Sequence, residues 1–232
     1  MLPRPTLALL LLALPLAARA GAGGADPRIV EQVVAVVRTP ASTQPRVITL
    51  TRLQEEARIA LVSRGGTGAA DGELDGAALR AGLEWLIDQI LLLDEVVRLQ
   101  VFEVERSDVL EELRRFQGRF ASPQAYRAFL GRVDITEEEL LVVLRRTLRV
   151  QRYVDSRVSA AGRVREAEVD RYLQERKVDP RASERAAVRN TVRAELAERR
   201  TEREVKALLA DLRSRATIRV LETFGGATGG KG

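Results

Sequence analysis

The hydrophobic and polar positions change rhythm several times along the chain. Residues 6–16 form an almost unbroken apolar run. Residues 29–37 (IVEQVVAVV) are β-branched and mostly apolar, which predicts a strand. A turn between Thr39-Pro40 and Pro45 leads to a second short strand over 46–50 (RVITL), and the pair predicts a hairpin. Thr51 with Gln54 three residues on has the form of a capping box and predicts a helix to about Ser63. Five glycines over 64–76 predict a loop. Leu79, Leu83, Leu86, Ile90, Leu93 and Val97 then step by four and three, with Ile87 and Leu91 widening the stripe. That spacing predicts a long amphipathic helix.

The helical rhythm continues. Ser107 predicts the start of a short helix through Leu110 and Leu113 to about Phe116. Ser122-Pro123 pairs an N-cap with proline at the first helical position, opening a helix that carries Tyr126, Phe129 and Leu130. Thr136 with Glu139 is a capping box, followed by a long amphipathic helix of Leu140, Leu144, Leu148, Gln151, Val154 and Val158. A further helix is predicted over 165–177, and a last one opened by Ser183, with Ala186 onward, to about Arg215, with an almost wholly charged, solvated middle at 198–204. Residues 217–221 (TIRVL) alternate and predict a closing strand. Strands thus stand at both ends with helices between. A small sheet joining the N- and C-terminal strands is the economical solution, because an unpaired final strand leaves an exposed edge. The fold class predicted is mainly α with that small sheet.

The apolar run at 6–16 follows a short start carrying Arg4 and precedes Ala18-Arg19-Ala20, the form of a secretory leader cleaved after Ala20. The expected organisation is a signal peptide at 1–20, a flexible lead at 21–28, one module at 29–222 (an N-terminal part at 29–177 and a C-terminal helix and strand at 183–222), and a disordered Gly-rich tail at 223–232. No second long apolar run follows, so no transmembrane span is expected after cleavage, and the location expected is periplasmic. Removing the leader takes Arg4 and Arg19 with it and lowers the net charge from +5 to +3. That is too weak for a nucleic-acid partner. Of 38 basic residues 35 are arginine, a bias that no sequence feature accounts for.

The chain has no His and no Cys. This removes histidine relays, thiolate nucleophiles, disulfides and zinc knuckles. Adjacent acids such as Glu55-Glu56 and Glu111-Glu112 point about 100° apart on a helix and do not converge. Gly65-Gly66-Thr67-Gly68 lacks the Lys-Ser/Thr of a phosphate loop and is expected to be a linker. No catalytic residue, cofactor or metal is expected.

The order of elements carries a resemblance. VVAVV, a turn and ITLTRL leading into a helix, then LIDQILLLDEV, then SDVLEEL, then FASPQAYRAFLGRVDITEEELLVVLRRTLRVQRYVDSRV, and last TIRVL, together resemble the SurA-like periplasmic chaperones over roughly 29–221. The resemblance implies a fold like the SurA N-terminal and trigger-factor C-terminal modules, with terminal segments intertwined in one helical unit. It implies binding of unfolded outer-membrane or exported polypeptides. Many relatives carry a parvulin-type prolyl isomerase domain between the two segments. Here only residues 178–182 separate them, and parvulin-type sites usually contain histidine. The expectation is a holdase without isomerase activity. The rival readings are a degenerate prolyl isomerase and a dedicated envelope assembly partner.

Phe116, Phe120, Tyr126 and Phe129 fall within fourteen residues of a chain poor in aromatics, and Trp85 and Tyr153 lie on neighbouring helices. Either these rings fill the core, or some line an apolar groove for extended clients, kept soluble by Arg114, Arg115, Arg119 and Arg127. All six are carried forward as candidate client-binding residues.

Overall fold

The computed structural model describes residues 31–160, 163–179, 181, 184–222 and 224. The expected leader at 1–20, the lead at 21–28 and Ser183 lie outside them. Val33–Arg38 (β1) is the central strand of a three-stranded antiparallel sheet of order β2-β1-β3. Arg46–Thr49 (β2) pairs on one side, with Val36 opposite Val47. Thr217–Val220 (β3) pairs on the other, with Val36 opposite Arg219. The sheet therefore joins the two ends of the chain, as the strand pattern predicts. Central placement explains the β1 sequence, since Val34, Ala35 and Val37 are fully buried.

Between β2 and β3 the chain is helical: α1 (Leu50–Ser63), a single turn α2 (Thr67–Asp71), α3 (Gly76–Leu99), α4 (Arg106–Gln117), α5 (Pro123–Val133), α6 (Glu137–Ala160), α7 (Glu166–Glu175) and α8 (Ala186–Arg215). Two predicted caps form as expected. Ser122 Oγ accepts from the Ala125 amide at 3.1 Å, and Thr136 and Glu139 bond reciprocally at 2.8 and 3.2 Å. The predicted cap at Thr51 is displaced. Thr49 holds that role, accepting from the Arg52 amide, because β2 passes into α1 with no residue between them. The glycine-rich stretch expected as a loop contains α2. Phe224, assigned to a disordered tail, is 8% exposed and packs in the core, where its ring offers more burial than the flanking glycines.

The largest core gathers Val34, Ala35, Val37 and Ile48 of the sheet around the α3 stripe. Leu83, Leu86, Ile87, Ile90 and Leu91 are buried as the spacing predicts. Val97 is half exposed, and Val96 takes its place inside. Gly82 lets α1 and α3 approach, since a Cβ added there would lie 3.1 Å from that of Ala57. A second core joins α1, α4, α5 and α6, and a third, small one joins α7 and α8 through Val169, Leu173 and Val192.

Asp94 is 4% exposed on α3. It accepts from Thr39 Oγ1 at 2.8 Å and from Arg46 at 3.1 Å, so it clasps both ends of the hairpin turn. Asp94→Ala leaves the buried Thr39 hydroxyl unpartnered and is expected to cost about 2 kcal/mol in urea denaturation. Arg46 is half exposed and adds little. A cost below about 0.5 kcal/mol would mean that the clasp is not stabilising.

Candidate functional site

The structure brings Phe116, Phe120, Tyr126 and Phe129 together, as their proximity in the chain suggests. Ring centroids lie 5.7 Å apart for Phe116–Phe120, 5.8 Å for Phe116–Phe129 and 5.3 Å for Phe120–Phe129. These are tilted contacts of the favourable kind. Phe116, Tyr126 and Phe129 are nevertheless 2%, 6% and 0% exposed. Enclosed between α4, α5, α1 and α6, they offer a client almost no surface. Phe120 keeps part of its ring open beside Pro123 and Arg127. The Tyr126 hydroxyl donates to Glu137 at 2.8 Å, and burial, aided by that carboxylate, raises its pKa well above the usual tyrosine range. It is a neutral structural donor rather than a proton-transfer group. Tyr153 is 5% exposed, packs against Phe102 at 6.0 Å in the main core, and is likewise raised by burial.

Trp85 is different. It stands on α3 only partly covered. The end of α1 explains its surroundings. Gly65 adopts a left-handed conformation (φ 88°), and the Gly65 and Gly66 amides donate back to Val62 and Leu61, both at 2.9 Å. This Schellman closure ends α1 at the cap residue Arg64. The Arg64 guanidinium lies over the Trp85 ring at 6.0 Å, within reach of a cation–π contact. The glycine pair expected only as linker thus sets the position of the cation on the tryptophan.

Two openings meet at Trp85. One, of about 120 Å³, lies between α1 and α3 and is walled by Ala57, Leu61, Ala78 and Gly82. The other, of about 210 Å³, lies between α1, α3 and α6 and is walled by Ile59, Val143 and Leu144. They share Ala60, Arg64 and Trp85. Both are below the roughly 300 Å³ at which enclosed sites for small ligands begin, so they are shallow surface hollows rather than ligand cavities. Arg64 is the one charged side chain lining either. Gln89, one turn beyond Trp85, lines the second and was not marked out by the sequence, where it is one polar residue in the run LIDQILLL.

Among the described residues no group of three or more acids could hold a metal ion. No helix among them is long and apolar enough to cross a membrane. Compared with known proteins, the chain matches no family model, no curated protein and no solved structure.

Proposed function

We propose that this chain is an exported client-binding chaperone, a holdase for unfolded or extended segments of outer-membrane and other exported proteins, acting in the periplasm without an isomerase domain. The observation that carries the reading is the open, apolar, nearly uncharged surface at Trp85. A holdase needs such a surface and no catalytic residue. The sheet that joins both ends of the chain is the arrangement that the resemblance to SurA-like chaperones implies. The leader-like residues 1–20 support export. Weak binding at an open groove would hold β-rich precursors apart without trapping them.

The test is aggregation of a β-barrel precursor diluted from urea. Equimolar chain is expected to suppress light scattering by more than about half, on the scale of one client segment held per chain. Scattering that is unchanged at equimolar chain contradicts the proposal. Catalysis of proline-limited refolding by substoichiometric chain would move the function to the isomerase class.

A further inference from the structure

The sheet order β2-β1-β3 makes β3 an edge strand. The Leu221 amide, just past β3, donates to the Val34 carbonyl at 2.8 Å. Backbone groups alternate in direction along an antiparallel strand. Thr217, Arg219 and Leu221 therefore turn their N–H and C=O groups to β1, and Ile218 and Val220 turn theirs outward. Among the described residues no group bonds to those of Ile218 and Val220. Val220 is 44% exposed, and Thr217 and Arg219 are exposed as well. The opposite edge is obstructed. There Val47 faces outward, its carbonyl accepts from Arg52 at 3.3 Å, and β2 passes straight into α1. An open edge is a template for a further strand, and β3 is the edge left open.

We infer that the β3 edge binds one extended polypeptide segment as a fourth strand, with a neutral or acidic residue opposite Arg219. Ile218 and Val220 each present one donor and one acceptor, about 6.8 Å apart along the strand. An extended backbone carries the matching pairs at that spacing whatever its side chains, whereas a helix spends its N–H groups internally. Arg219 selects among such segments. It stands between the two outward residues, is exposed, and joins none of the ion pairs among the described residues. The residue opposite it on an added strand would form a pair without hydrogen bonds, the kind in which side chains are closest. A carboxylate there is favoured and a cation disfavoured. The same rule sets aside a second copy of this chain. Two-fold antiparallel pairing of β3 with itself through both outward residues places Arg219 directly opposite Arg219. The inference rests on the client-holding reading and adds a backbone contact that recognises extended chain.

Amide hydrogen exchange followed by NMR reads this edge residue by residue. In the chain alone, the Ile218 and Val220 amides should exchange freely while those of Arg219 and Leu221 are protected by β1. The probe is an eight-residue peptide of valine and threonine with a central glutamate, supplied at about ten times its dissociation constant. Exchange at Ile218 and Val220 is expected to slow about tenfold. A counterpart with a central lysine should bind about three- to fivefold more weakly, and Arg219→Glu should reverse that preference. Val220→Pro removes an outward N–H and leaves the bonds to β1 whole. It should weaken binding about fivefold with far-UV circular dichroism unchanged. If proline disturbs the fold, the reversal in Arg219→Glu still decides. Peptide binding that leaves both amides unprotected overturns the inference, as does a glutamate preference that Arg219→Glu does not alter. Protection of both amides in the chain alone overturns it too. Protection that rises with chain concentration assigns the edge to a second copy, and protection independent of concentration assigns it to the chain itself. If the edge amides do not respond to an unfolded precursor whose aggregation is suppressed, the inference falls and the holdase reading stands. If neither responds, both fall.

Discussion

Glu56→Ala is expected to lower the unfolding free energy by about 3 kcal/mol, and the melting temperature by about 6–12 °C. Glu56 is an acid on α1 that is only 4% exposed. One oxygen accepts from Arg52 Nε at 2.9 Å and the other from Arg146 of α6. The Arg146 side chain is itself 18% exposed, so alanine would strand a mostly buried guanidinium. Removing one member of a buried pair costs far more than the pair contributes, because the remaining charge has lost both water and partner. Arg52 is more exposed and screened, and its share is small. The double substitution Glu56→Leu with Arg146→Met removes both charges and is expected to recover most of the loss. Urea denaturation of the wild type and the two variants checks this. A double variant no better than Glu56→Ala would mean that the charges are not coupled.

Phe129→Ala is expected to cost about 4 kcal/mol, with a fall of about 8–15 °C in melting temperature. Phe129 is fully buried and touches the rings of Phe116 and Phe120. Truncation leaves a cavity that rigid neighbours on α4 and α5 can fill only in part. The same substitution separates the two roles open to the aromatic cluster. At a temperature where the variant remains folded, suppression of precursor aggregation should stay within about twofold of wild type, because the ring has no surface to lose. Trp85→Ala should show the reverse, with a stability loss below about 1.5 kcal/mol, the lower end for a partly covered ring, and a clear loss of suppression. Equal loss of suppression in the two variants, both folded, would return the cluster to the site.

Local chemistry was the legible layer. Ser122-Pro123 and the Thr136–Glu139 box act within four residues, so their caps could be read directly. The α3 stripe could be read as far as Leu91 and failed at Val97, which is half exposed while Val96 is buried. Glu56 and Asp94 look like surface acids in the chain, since their partners Arg146 and Thr39 lie 90 and 55 residues away. The aromatic cluster was visible, but proximity in sequence does not say which side of a ring faces water. Trp85 was marked by its type alone, and Gln89 by nothing, because the lining of a hollow exists only once the helices around it are packed. The arginine bias also gains a use in three dimensions. Each ion pair among the described residues joins an arginine to a carboxylate, and several tie one helix to another, such as Arg213 of α8 to Asp88 of α3 and Arg152 of α6 to Asp108 of α4. A planar guanidinium suits such bridges better than a flexible ammonium.

The most direct measurement of client holding is a titration followed by Trp85 emission and light scattering together. The chain is mixed with a Trp-free outer-membrane β-barrel protein diluted from urea, and separately with a folded Trp-free globular protein of similar size. A saturable emission change is expected with the unfolded protein over the range where scattering falls, and no change with the folded one. An emission signal that is absent with the unfolded protein, or equal for the two, would contradict it.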